Sequence, residues 1–234
     1  MLIIADARLP LETLRKLRNW GNLFGFSSRG IVYDSISGHP DVFLCQTPDA
    51  VVVAPNAPDE LKAALQLNRI TTLEGSFEVG NRYPHSARYN AWVGDNLLVH
   101  MLTNTDSVIM QICNDFEHLN VAQAYTRCNL VEVKGLFITS DKGIEKAISG
   151  IGREVFYIDP RCIVLPGQKN GFIGGCMGYW QHQLFLAGSV RHFPEGPNLK
   201  KALVSRNVQL VELYDGPLFD GGAIMFLSAV SDEG

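Results

Sequence analysis

Reactive side chains stand in contexts that chemistry can use at two places in the 234-residue chain. Cys176 follows Gly174-Gly175 and precedes Met177. A thiolate is a good nucleophile once its pKa is lowered, and glycines on its N-terminal side let backbone amides and a ligand come close. The same context also suits a small apolar core residue packed beside two glycines. At the second place, His39-Pro40-Asp41 joins an imidazole that titrates near neutrality to a carboxylate able to set its tautomer or hold a cation. That tripeptide reads equally as a turn entering a strand. Of the other histidines, His85 in Tyr83-Pro84-His85 is a loop candidate and His182 is close enough to Cys176 to be an alternate base. His100, His118 and His192 read as surface or satisfied core groups. Cys45, Cys113 and Cys162 lie in apolar contexts and read as core.

The five cysteines are an odd number without a CxxC pair, which argues against a disulfide framework and a zinc knuckle and fits a reducing cytoplasm. No Gly-rich loop opens a helix in the required context, and no HExxH, EF-hand or Gly-x-Ser-x-Gly spacing occurs, so no organic cofactor or metal is expected. Composition is 46% hydrophobic and 19% charged, a globular profile that excludes disordered and collagenous chains. The net charge of -4 leaves no basic surplus for phosphates, so no nucleic-acid partner is expected. The N-terminal apolar run is too short for a signal peptide, and no segment approaches the roughly 20 apolar residues of a membrane span. A cytoplasmic protein acting on a small molecule is the expectation.

The elements that must position these residues repeat. Asn129 to Val133 alternates as a strand, Lys134-Gly135 turns, Leu136 to Thr139 is a second strand, and Asp141 can cap a helix from Lys142 to Ser149. Arg153 to Ile158 follows as a third strand. Upstream the same order runs through Asp41 to Cys45, Val51 to Ala54, a helix from about Ala57 to Gln66, and Ile70 to Leu73. Between them lie Asn90 to Val93, Leu97 to Met101, a helix capped by Asn104, and Leu119 to Val121. Downstream, Gly171 to Cys176 and Leu184 to Ala187 flank a longer loop and precede a helix from Pro197 to Val204 and a strand from Val208 to Val211. The helices carry matching i, i+3, i+4 stripes: Leu61, Ala64, Leu65; Ile109, Ile112, Cys113; Ile144, Ala147, Ile148; and Leu199, Ala202, Leu203. Gly222 to Ala229 together with Leu2 to Ala5, a helix from Pro10 to Trp20 and a strand at Leu23 to Phe26 spell a fifth unit across the termini. Five units of roughly 47 residues account for the length in one domain, and closing the ring removes exposed sheet edges.

Five such units in a closed pseudo-fivefold ring resemble the pentein superfamily of guanidino-modifying enzymes. Its members include arginine and agmatine deiminases, dimethylarginine dimethylaminohydrolase, amidinotransferases and a ribosome anti-association factor. The resemblance spans the chain and is nearest to a bacterial branch, through Gly38-His39-Pro40-Asp41-Val42, Tyr125-Thr126-Arg127-Cys128-Asn129, Ile138-Thr139-Ser140-Asp141 and Gly174-Gly175-Cys176. It implies an α/β fold, a five-bladed α/β propeller of ββαβ units: 222–234 with 1–34, then 35–80, 81–123, 124–160 and 161–221. It also implies a nucleophilic cysteine in the last full unit, a position Cys176 matches, with a histidine as general acid and base and acidic residues for a substrate cation.

Aligned first strands place Asp41, Asn90 and Asn129 just before the apolar run, with Asp220 ahead of the equivalent strand in the ring-closing unit. His39, Arg88, Arg127 and Cys128 flank them, so an axial mouth holding His39, Asp41, Arg88, Asn90, Arg127, Asn129, Cys176 and Asp220 is expected. The histidine that the deiminases carry in the unit before the cysteine unit has no counterpart in Tyr125 to Asn129. Inward-pointing Arg88 and Arg127 would repel a cation and favour a carboxylate or phosphate. Two functions follow. One is a cysteine hydrolase, deiminase or amidinotransferase on a C–N bond, with Cys176 attacking, His39 relaying protons, Asp41 and Asp220 binding nitrogens and Asn90 and Asn129 lining the site. The other is a pentein-fold binding protein that has lost the chemistry.

Overall fold

The structure, a computed structural model, describes residues 1–229; residues 230–234 of the expected ring-closing unit lie outside the described residues. Strand β1 (Leu2–Asp6), helix α1 (Leu11–Leu17) and β2 (Asn22–Phe26) come first. Next are β3 (Leu44–Gln46), β4 (Val51–Val53), α2 (Asp59–Leu67) and β5 (Thr72–Glu74). Then follow β6 (Trp92–Gly94), β7 (Leu97–His100), α3 (Ser107–Ile112) and β8 (Glu117–Asn120). A single helical turn, α4 (Thr126–Asn129), leads into β9 (Leu130–Val133), β10 (Leu136–Thr139), α5 (Lys142–Gly150) and β11 (Glu154–Tyr157). After β12 (Ile163–Val164) come β13 (Met177–Trp180), β14 (Gln183–Leu186), α6 (Gly196–Val204) and β15 (Gln209–Glu212). Strands β16 (Leu218–Phe219) and β17 (Met225–Leu227) end the described chain.

Five three-stranded sheets share one topology: β3-β4-β5, β6-β7-β8, β9-β10-β11, β13-β14-β15 and β17-β1-β2. In each, the middle strand pairs antiparallel with the first and parallel with the third. A parallel partner cannot be reached through a hairpin, so a helix crosses over between the middle and third strands. The middle strands are buried along nearly their whole length, which explains apolar runs such as Leu2-Ile3-Ile4-Ala5 and Val51-Val52-Val53. Two-residue turns with left-handed backbone close three of the hairpins, at Asp95-Asn96, Lys134-Gly135 and Gln181-His182. The pairing expected across the termini is present, with Leu2 opposite Leu227 and Ile4 opposite Met225. A short parallel pair, β12 with β16, brings Asp220 in behind Val164, whose carbonyl accepts from the Asp220 amide at 2.9 Å.

The helix stripes are the inner faces. Leu61, Ala64 and Leu65 are buried, as are Ile109 and Cys113, Ile144 and Ile148, and Leu199 and Leu203, while Ile112, Ala147 and Ala202 are partly buried beside them. Asp141 caps α5 as expected, accepting from the amides of Gly143 at 2.7 Å and Ile144 at 2.9 Å.

Two sequence expectations are corrected. Asp106, not Asn104, caps α3, accepting from the Val108 amide at 2.9 Å; the Asn104 side chain instead donates to the Pro84 carbonyl. The first strand of the fourth hairpin is Met177–Trp180, not Gly171 to Cys176, and the longer loop expected after it is the two-residue Gln181-His182 turn. Gly174 to Cys176 forms a 3-10 turn, closed by the Cys176 amide on the Ile173 carbonyl at 3.0 Å. The apolar run continues through Cys176 without a break, so its composition does not mark where pairing starts.

Candidate active site: a cavity over His39, Asp41, Cys128 and Asp220

A cavity of about 330 Å³ is lined by His39, Cys128 and Asp220 together with Tyr33, Tyr83, Tyr125, Phe172, Gln123, Gln168, Asn170, Ile36 and Leu165. These residues come from the segments that precede the first strands. Pro40 fixes the first residue of a 3-10 turn, Pro40–Val42, which holds His39 and Asp41 just ahead of β3. Helix α4 carries Cys128 ahead of β9, and the residues after β16 carry Asp220 ahead of β17.

Behind the cavity wall the polar groups are closely coupled. Cys128 Sγ donates to Asp41 Oδ2 at 2.9 Å and accepts from Asn90 Nδ2 at 3.3 Å. Asn90 also accepts from the Cys128 amide and donates to the Asp41 carbonyl, both at 3.0 Å, so one amide side chain fixes both neighbours. One ligating atom each from His39, Asp41 and Cys128 lies within 4.8 Å of the others. His39 Nε2 stands 3.9 Å from Asp220 Oδ1. Asp220 accepts from the Phe172 amide at 2.8 Å and the Gly222 amide at 3.0 Å. Among the described residues, neither ring nitrogen of His39 nor Asp41 Oδ1 has a hydrogen-bond partner. His100 shows the contrast: it is equally buried, but Nδ1 bonds Thr105 Oγ1 at 2.8 Å and Nε2 bonds the Ala124 carbonyl at 2.7 Å.

Burial governs the ionisation of these groups. It pushes Asp41 up to about 7, against the pull of the Cys128 and Asn90 hydrogen bonds and of Arg127. Asp220 is raised for the same reason, and His39 is lowered by burial although the Asp220 carboxylate works against it. The Cys128 thiol is raised well above its ordinary value, by burial first and by the Asp41 and Asp220 charges after it.

Glycines make the room. A Cβ on Gly175 would overlap Asp220 Oδ1, and one on Gly222, where the backbone is left-handed at φ 67, would overlap the His39 side chain. The Gly174-Gly175 pair therefore serves Asp220 and the backbone of α4, since a Cβ on Gly174 would strike the Arg127 carbonyl.

The sequence-expected residues divide into two sets. His39, Asp41, Asn90 and Asp220 lie together, His39 and Asp220 on the cavity and Asp41 and Asn90 behind its wall. Cys176 does not join them: it is fully buried in an apolar cluster with Ile173, Met177, Leu184 and Leu186, and its Sγ reaches the Phe172 carbonyl at 3.4 Å. Cys128, which sequence reasoning placed only as a flanking residue, is the thiol that faces the cavity. Asn129 is buried beside it and holds structure, accepting from Ser140 Oγ and donating to the Tyr125 carbonyl, both at 3.0 Å.

Neither arginine lines this cavity. Arg88 lies over the Phe77 ring at 5.1 Å and meets His85 Nδ1 at 2.9 Å near the surface. Arg127 turns into a second cavity of about 310 Å³, to which first strands of all five sheets contribute: Leu44 and Gln46, Trp92 to Gly94, Val131 and Glu132, Tyr179, and Met225. The expected repulsion of a cationic ligand by two inward arginines is thereby removed. The aromatic wall escaped sequence reasoning. Tyr125 opens the run Tyr125-Thr126-Arg127-Cys128-Asn129, but its bonds to Tyr33 Oη at 2.7 Å and Ser86 Oγ at 2.6 Å join segments far apart in the chain. No described helix is long and apolar enough to cross a membrane.

Solved structures with a similar fold include a DDAH, a dimethylarginine dimethylaminohydrolase, from Pseudomonas aeruginosa complexed with citrulline (TM-score 0.54, 6% identity, covering 90% of this chain and 91% of that one). Others are the amidinotransferase SxtG from Microseira wollei (TM-score 0.53, 7% identity, 90% and 87%) and a C. jejuni agmatine deiminase with substrate bound (TM-score 0.54, 9% identity, 98% and 82%). These are pentein-fold, guanidino-modifying enzymes, and at such low identities the likeness is one of fold. No curated protein matches the sequence. Residues 4–225 match the model described as "Family of unknown function (DUF6873)", and the chain belongs to that family, on a mixed α/β fold of the pentein kind.

Proposed function

We propose that this protein is a cysteine-dependent hydrolase or transferase acting on a C–N bond of a small guanidino, amidine or amide compound, with Cys128 as the nucleophile. The observation that carries the reading is the convergence, on one aromatic-walled cavity, of a thiol, an imidazole with both nitrogens uncommitted and the Asp220 carboxylate, with the Asp41 carboxylate bonded to the thiol from behind the wall. The fold is read as a closed five-bladed propeller with the two cavities at opposite ends of its axis. The β17–β1 pairing and the contribution of five first strands to the second cavity support this.

Burial and the Asp41 charge hold the thiol protonated. A cationic amidinium resting on Asp220, with the Asp41 carboxylate behind the thiol, supplies the positive charge that the site lacks and pulls the thiol pKa down. The thiol proton passes to His39 and on to the departing nitrogen. Sulfur bonds to the central carbon, the C–N bond breaks, and an amine leaves with that electron pair and the proton. Water, or an acceptor amine, then adds to the thioester-like carbon while His39 takes a proton from it, and Cys128 departs and is reprotonated. Asp41 positions the thiol and Asn90 fixes Asp41.

A second reading, a binding protein that keeps the cavity without the chemistry, is favoured by the upward push that Asp41 and Asp220 exert on the thiol. Labelling with a haloacetamidine, compared with iodoacetamide and located by peptide mass mapping, separates the two. The enzyme reading expects fast amidine-selective labelling at Cys128 near neutral pH, slowed in His39→Ala and unchanged in Cys176→Ala. Labelling of Cys128 no faster than of an unstructured cysteine leaves the binding protein.

A further inference from the structure

His39, Asp41 and Cys128 come from two segments more than eighty positions apart, so no ligand spacing is visible in the chain. Folded, they present an imidazole nitrogen, a carboxylate oxygen and a thiol sulfur, all within 4.8 Å of one another and all buried. A buried histidine held for structure has its ring nitrogens bonded, as His100 does; His39 has neither bonded. Asp41 Oδ1 is likewise without a partner among the described residues.

Sulfur, imidazole and a single carboxylate oxygen form the donor set of zinc and its neighbours, not of calcium or magnesium. Zinc bonds of about 2.0–2.3 Å in a tetrahedral arrangement put ligand atoms about 3.5 Å apart, so a cluster within 4.8 Å must contract by about 1.3 Å at most. A dication with one thiolate and one carboxylate is a neutral centre, which suits a buried position. His39 and Cys128 face the cavity, which gives an entry path and a direction for a fourth, exchangeable ligand. Asp220, 3.9 Å from His39 Nε2, is placed to orient the imidazole from outside.

We propose that His39, Asp41 and Cys128 form a binding site for a divalent transition-metal ion of the zinc class, and that the bound ion occupies the Cys128 sulfur and blocks it as a nucleophile. Binding forms a metal–sulfur bond and releases the thiol proton to solvent; no oxidation state changes. The site stands on the geometry alone, whereas its blocking effect rests on Cys128 being the nucleophile proposed above.

The test uses the full chain freed of metal with a chelator. Co²⁺ is added as a spectroscopic probe, and Zn²⁺ affinity is measured by competition with a chromophoric chelator. Wild type and Cys176→Ala are expected to show the near-ultraviolet thiolate-to-cobalt charge-transfer absorption, and Cys128→Ser to lack it. Zn²⁺ affinity is expected to fall at least about tenfold in Cys128→Ser, His39→Ala and Asp41→Asn. Unchanged circular dichroism in the near-isosteric Cys128→Ser and Asp41→Asn variants separates loss of a ligand from loss of the fold. No charge-transfer band in wild type, or a band that survives Cys128→Ser, overturns the site. Amidine labelling of the same metal-free protein keeps the two proposals apart. Slow labelling with the cobalt band present removes the enzyme reading and its blocking clause but keeps the metal site; fast labelling without the band removes the metal site alone; fast labelling that Zn²⁺ suppresses supports both.

Discussion

Replacing Asp41 by Asn should make the protein more stable at pH 8 and leave it nearly unchanged at pH 4. Asp41 is buried, and its carboxyl is raised from 3.8 to about 7. Between those values the folded chain holds a proton that the unfolded chain has released. Stability contributed by the protonated carboxyl is therefore fully present below about pH 3.8 and lost as pH rises through about 7. About three pH units at about 1.4 kcal/mol each give a loss of about 4 kcal/mol at alkaline pH. Asn removes the charge while its carbonyl can still accept from Cys128 Sγ, so the variant escapes most of that loss. For a chain of this length, 4 kcal/mol corresponds to roughly 8–16 °C in Tm. Wild type alone does not reveal the effect, because buried His100, lowered to about 4, loses stability in the opposite direction as pH falls. His39, Cys128, Asp220 and Arg127 also face Asp41 or its neighbours, so the informative quantity is the difference between the two proteins. Urea unfolding of both at pH 4, 5.5, 7 and 8.5 measures it. A difference that does not change with pH, or one in which wild type gains on the variant as pH rises, would refute the assignment of Asp41 as a desolvated carboxyl.

Four further outcomes are expected. Gly175→Ala forces a methyl against Asp220 Oδ1 and should cost about 1–3 kcal/mol in thermal unfolding, while Gly150→Ala, with open space at the end of α5, should be neutral or gain about 0.5 kcal/mol. Asp141→Ala removes the cap that accepts from Gly143 and Ile144 and should lower stability by about 1 kcal/mol in denaturant titration. Leu203→Ala, which empties a fully buried position on α6, should cost about 2–5 kcal/mol by the same measurement.

Much of the fold is legible in the chain because its signals are local. A hairpin turn such as Lys134-Gly135, an Asp cap such as Asp141 and an i, i+3, i+4 stripe such as Ile144, Ala147 and Ile148 each depend on neighbours a few residues apart. Where the local signal was continuous, it misled. The run from Gly171 to Trp180 is apolar throughout, and only the pairing of Met177 with Leu186 decides that the strand begins after Cys176. That shift takes Cys176 out of the candidate site: the residue lies in a 3-10 turn whose thiol points into the core, and its glycines make room for Asp220 and α4.

By itself the sequence determined the repeated strand, strand, helix, strand order, the completion of one sheet from both ends of the chain, and the set of polar residues just ahead of the first strands. Which thiol meets which carboxylate was decided only in three dimensions. Arg127 and Cys128 are adjacent in sequence yet line different cavities, because a single helical turn sends consecutive side chains about 100° apart. Cys128, Asp41 and Asn90 meet because three separate sheets bring their leading segments together, and no spacing along the chain records that meeting.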